Sequence, residues 1–162
     1  MEYVYIGKLV NTHGIKGEVR ILSDFKYKNL VFKKGFKFYL GQDKQELTVI
    51  SYRHHKIYDM VMFDGYQDIN QVLEFKGLNV YVKRSELKVD YLNEELIGFD
   101  IYDNRLKKTI GKLTMIRQNS NQELLVVDNH IYIPKVKEFV KQIDLNNKKI
   151  IVETIGGMLD EN

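Results

Sequence analysis

The sequence predicts a mainly β protein made of two small domains with a few short helices, and three observations carry that expectation. Short segments that alternate apolar and polar residues recur between turn residues. Residues 83–90 are charged and follow neither period, lying between a finished strand pattern and a new apolar motif at Tyr91. The charge balance changes at the same place. Residues 1–84 carry 14 Lys and Arg against 9 Asp and Glu, a net +5, whereas residues 85–162 carry 11 against 13, a net −2. We therefore expect a first domain over 1–84, a linker over 85–90 and a second domain over 91–162.

In the first domain, strands are expected over Tyr3–Val10, Glu18–Leu22, Lys37–Leu40, Glu46–Arg53, Ile57–Phe63 and Leu78–Val82, a spacing that suits an all-β barrel. The first two meet around a turn carrying His13, Gly14, Lys16 and Gly17. Glycines there allow positive φ or a close backbone approach, while Val19 and Ile21 share one strand face and Glu18 and Arg20 the other. Asp68–Phe75 reads as a short helix over the barrel, with Asp68 as cap, Ile69, Val72 and Leu73 on one face, and Gly77 beyond its end.

In the second domain, strands are expected near Gly98–Tyr102 and over Ile110–Arg117, then on both sides of an Asp128-Asn129 turn. A polar loop is expected over Gln118–Gln122, and the one proline, Pro134, should end a strand because it lacks a ladder donor. Val136, Phe139, Val140 and Ile143 recur at helical spacing, which predicts one short helix before a last strand.

Composition narrows the function. With 44% hydrophobic and 29% charged residues the chain is globular, and the absence of cysteine removes disulfides, thiol nucleophiles and thiolate metal sites. Runs such as Met60–Phe63 and Leu124–Val127 fall far short of the ~18 residues that cross a bilayer, so no membrane role is expected. Glu2 stands where a secretory signal would place positive charge, which makes the cytoplasm the expected location. The basic first half suits a phosphate backbone and the acidic second half a basic protein partner.

No catalytic constellation is visible. His13 has neither a cysteine nor a Gly-x-Ser-x-Gly elbow to serve, and a contact to RNA or a turn role fits it better. Gly14-Ile15-Lys16-Gly17 matches the Gly-x-x-Gly of KH domains, but strand patterns flank it where a KH loop joins helices. His54 and His55 are adjacent on a strand and face opposite sides, so no shared metal is expected, nor any cofactor. Glu94 and Glu95 read as solvated. The lysines at 26, 28, 33, 34 and 37, interleaved with Phe25, Tyr27, Phe32 and Phe36, offer a basic-aromatic surface, with Phe32 and Phe36 favoured as core.

The run from Gly7 through His13, Gly14, Gly17, Glu18, Val19 and Arg20 closely resembles the N-terminal signature of the ribosome maturation factor RimM family. The second half resembles that family's PRC barrel: YLNEELIG at Tyr91–Gly98, Ile110-Gly111, ELLVV at Glu123–Val127, IYIP ending at Pro134, KKIIVE from Lys148, and Gly157, Met158 and Leu159. The resemblance implies a first barrel like domain 2 of the translation elongation factors and a non-enzymatic factor, expected as a monomer. It also implies binding to the immature small (30S) subunit through ribosomal protein number nineteen and nearby 16S rRNA, promoting head maturation and rRNA processing. Expected rRNA contacts are His13, Gly14, Lys16, Gly17, Arg20, Lys33 and Lys34. Tyr91 and Leu92 stand where the family carries a tyrosine pair facing the ribosomal protein, and Leu92 departs from that pair. The rival readings are a PRC-type interaction module unrelated to ribosomes and an accessory RNA-modifying protein.

Overall fold

The computed structural model describes residues 1–159 and divides the chain into two compact units, Met1–Lys88 and Val89–Asn162. The division falls inside the charged segment. That segment is not slack: Arg84–Glu86 forms a 3-10 turn and Leu87 is buried.

The first unit is a closed six-stranded barrel of β1 (Tyr3–His13), β2 (Glu18–Leu22), β3 (Lys37–Leu40), β4 (Gln45–His55), β5 (Tyr58–Phe63) and β6 (Asn79–Lys83). Its order is β1-β2-β5-β4-β3-β6, with β6 pairing back onto β1, so no strand is left as an edge. Alternation sends Val19, Ile21, Phe38, Val49, Val61 and Phe63 to the interior, all of them buried. β1 and β4 run beyond their expected ends, and bulges at Leu9/Asn11 and Val49/Ser51 absorb the curvature of such long strands.

Two short helices sit on this barrel. α1 (Lys28–Val31) was not legible as periodicity because it is a single turn. α2 (Ile69–Val72) starts where the Asp68 carboxylate accepts the Asn70 N–H at 2.8 Å. It then tightens into a 3-10 turn over Leu73–Phe75, which sends Phe75 rather than Leu73 inward: Phe75 is buried and Leu73 is 52% exposed.

The second unit is a six-stranded sheet of β7 (Asp100–Asp103), β8 (Lys108–Asn119), β9 (Gln122–Val127), β10 (Ile131–Pro134), β11 (Val140–Asp144) and β12 (Lys149–Val152). The order is β10-β9-β8-β7-β12-β11, and bulges in the β7–β8, β8–β9 and β11–β12 ladders bend it. Its core gathers Leu96, Phe99, Ile101, Leu113, Leu125, Ile133, Ile150 and Val152. β10 ends at Pro134, and the polar loop expected over 118–122 contracts to a tight turn with Ser120 at φ 52°.

The helix expected over Val136–Ile143 is not formed. Val140 N–H donates to the Val136 carbonyl at 2.8 Å, one helical turn, after which Val140–Asp144 pairs with β12 as a strand. Four residues at helical spacing were satisfied by one turn and a bulge at Val140/Gln142, which resets the strand alternation.

Candidate nucleic-acid interface

The turn between β1 and β2 owes its shape to Gly17. Gly17 has φ +89°, and a Cβ there would lie 2.3 Å from the Tyr66 carbonyl oxygen. The turn is also fastened to the start of α2, where Ile69 N–H donates to the Ile15 carbonyl at 3.0 Å. Gly17→Val should therefore cost at least 2 kcal/mol, since a positive φ strains a β-branched residue and the clash is with backbone. Thermal unfolding checks this, and a variant that melts with the parent would mean the 66–69 loop yields freely.

This fixed turn gathers charge on the outer surface of the barrel. His13 pairs with Glu18 at the mouth of the hairpin, and Arg20 donates from Nη2 to His13 Nδ1 at 2.7 Å. The Arg20 Cζ stands 5.4 Å from the centre of the Tyr58 ring. From β4, the His55 ring lies 5.9 Å from that of His13, and Arg53 makes two 2.8 Å contacts with the Glu18 carboxylate. That forked hydrogen bond holds Glu18 below the usual carboxylate range, with burial opposing it. His55 is held below the usual histidine value, first by burial and then by Arg53, Lys56, His13 and Arg20.

The structure thus brings His13, Gly14, Lys16, Gly17 and Arg20 into one neighbourhood, beside an open recess of about 280 Å³ lined by His13, Gly14, Ile15, Lys16, Glu18 and Met62. Lys33 and Lys34 do not share its contacts. Both are exposed after α1, with Lys33 Nζ 6.0 Å from the Phe36 ring centre. Phe32 is buried, Phe36 partly so, and Tyr27 packs edge-on against Phe25 at 5.9 Å.

Arg53, His55 and Tyr58 were missed by sequence reasoning, because only the β1-β2-β5-β4 order carries them to the turn. The alternation at His54 and His55 was a partial signal: His54 faces Asp59 at 3.5 Å while His55 faces His13. Among the described residues, no group of three or more His, Cys, Asp or Glu is placed to hold a metal.

In the second unit, Tyr91 is half-buried against the core, and its hydroxyl accepts from Lys135 Nζ at 2.8 Å. Leu92 requires a correction. Expected at a partner contact, it is only 3% exposed. Its N–H donates to the Glu95 carboxylate at 2.8 Å and its carbonyl accepts the Glu95 N–H at 2.9 Å, so residue 92 caps the 3-10 turn Asn93–Leu96 and its side chain lies inside. Glu95 is accordingly a capping residue and not a solvated one.

A model of the RimM N-terminal domain matches residues 4–87, and a model of the RimM PRC barrel domain matches residues 93–158. The chain is 35% identical over 167 residues to the ribosome maturation factor RimM of Geobacillus kaustophilus, covering 96% of this chain and 95% of that one. It is 34% identical over 168 residues to the RimM of Shouchella clausii, covering 96% of each. The solution structure of the N-terminal domain of RimM from Thermus thermophilus superposes with a TM-score of 0.47 at 18% identity, covering 55% of this chain and 98% of that domain.

Proposed function

The chain belongs to the RimM family of ribosome maturation factors, and from that premise we propose that it is a non-enzymatic factor for the small ribosomal subunit. In this reading the N-terminal barrel meets 16S rRNA through His13, Gly14, Lys16, Gly17, Arg20, Lys33 and Lys34. The C-terminal unit holds small-subunit ribosomal protein number nineteen, with Tyr91 at the contact and Leu92 supporting it from within. The protein acts as a monomer in the cytoplasm, and its binding favours head maturation and 16S rRNA processing.

The observation that carries this reading is the match of both units, in order, to the two domains of one maturation-factor family. The cationic turn of the first unit supports its RNA side, and the −2 balance of residues 85–162 suits a basic ribosomal protein. No helix of the described residues is long and apolar enough to cross a membrane. Co-sedimentation tests the proposal: the chain should travel with free or immature small subunits and be nearly absent from full ribosomes. Equal recovery with both, or with neither, sinks it.

The lysines after α1 give a second measurement. Each lost phosphate contact on a single strand should lower the salt slope of binding by about 0.7. Lys33→Glu with Lys34→Glu should therefore reduce the slope for immature subunits by more than 1, with weaker binding at low salt. An unchanged slope would make these two lysines a solvated face.

A further inference from the structure

Arg20 is a half-buried cation without an anion. Among the described residues it has no carboxylate within ion-pair distance, its Nε is buried without a hydrogen-bond partner, and its one side-chain hydrogen bond goes to His13 Nδ1. Glu18, two residues before it on the same strand, is already engaged by the Arg53 fork. An arginine N–H can only donate, so His13 Nδ1 is the acceptor of this contact. His55, tilted beside it with ring centres 5.9 Å apart, is held below the usual histidine value, first by burial and then by the surrounding cations.

Every element around the two imidazoles contributes to this balance. The 14–17 turn brings Lys16, β2 brings Glu18 and Arg20, β4 brings Arg53, the β4–β5 turn brings Lys56, and β5 brings the Tyr58 ring. Four cations thus gather with Glu18 around the two imidazoles. A phosphate group arriving here supplies the missing anion. It offers the guanidinium a forked acceptor and favours the charged form of His55 that the cations had disfavoured. Once protonated, His13 no longer accepts from Arg20, and that N–H is released to the phosphate.

We propose that this edge of the barrel is a proton-coupled phosphodiester site, in which Arg20 takes a backbone phosphate of RNA while His13 and His55 gain a proton as it docks. The inference rests on the RNA-contact reading above and adds His55 and Tyr58 to it. The proton bookkeeping is simple: one proton passes from the buffer to an imidazole nitrogen, and no covalent bond forms to the RNA.

The test is calorimetric titration of the full chain with single-stranded oligouridylate near pH 6.5, in two buffers of different ionisation enthalpy, cacodylate and MES. The apparent heats should differ by the equivalent of about one proton taken up per bound chain, and affinity should fall by up to about tenfold per pH unit as pH rises through the histidine range. His13→Asn, which keeps an acceptor for Arg20, and His55→Asn should each reduce the uptake, with circular dichroism confirming that they fold. Binding with equal heats in the two buffers would overturn the proton coupling and leave the RNA reading standing. No binding in either buffer would overturn both. Uptake that persists in the double variant would place the proton elsewhere, and equal uptake with inorganic phosphate at similar affinity would make this a general anion pocket; both overturn the assignment.

Discussion

Phe38→Ala should remove about 4 kcal/mol from the stability of the N-terminal barrel. Phe38 is fully buried on β3 and meets three other rings, with centroids 5.3 Å from Phe32, 6.4 Å from Phe36 and 6.1 Å from Phe63. All three contacts are edge-to-face, a geometry that adds about 0.5–1.5 kcal/mol per pair beyond the area buried. The space left by truncation is poorly refilled, because β3 is hydrogen-bonded to β4 on one side and β6 on the other. Site-resolved amide exchange in β3 and β4 reads the loss without assuming that both units unfold together. A loss below about 1.5 kcal/mol would show that the neighbouring rings collapse into the gap.

Lys28→Ala should cost about 3 kcal/mol, more than Asp59→Asn, although the two residues form one ion pair. The pair is lopsided. Lys28 Nζ reaches Asp59 Oδ2 at 2.8 Å, but the Asp59 side chain is 1% exposed and that of Lys28 is 34%. Removing the lysine strands a carboxylate in the barrel wall with only the Tyr52 hydroxyl at 2.7 Å and His54 at 3.5 Å. Removing the charge from Asp59 leaves a lysine that water can reach and an amide oxygen that still accepts from Tyr52, a loss of about 1–2 kcal/mol. The same surroundings act on Tyr52, whose hydroxyl is pushed up to about 12, first by burial and then by the hydrogen bond to Asp59. Urea denaturation of the two variants decides the matter, and the reverse order of losses would refute the argument.

Strands β2, β4 and β6 were legible because buried positions alternate with more open ones, so alternation survived in the sequence. Asp68 likewise announced α2 because its cap is local. What stayed hidden depended on partners distant in sequence. Val136, Phe139, Val140 and Ile143 imitate a helix since nothing nearby reveals that β12 will pair with Val140–Asp144. Leu92 looked like an altered contact residue, yet its backbone does the work through Glu95. At the candidate interface, the motif located His13, Gly17 and Arg20, while His55 and Tyr58 reach it only through strand neighbours.

The parallel ladder that joins β7 to β12 governs when each half of the chain becomes structured during synthesis. The first barrel has all its strands once Lys83 has emerged, because β6 closes it against β1. The second unit begins with β7 at Asp100, but that strand lies between β8 and β12, which ends at Val152. At about 5–20 residues per second, the roughly 70 residues between those points take on the order of 3 to 14 s to translate. Through that interval the first barrel already holds every strand it needs to close, while the flank of β7 stays unpaired until β12 has been made.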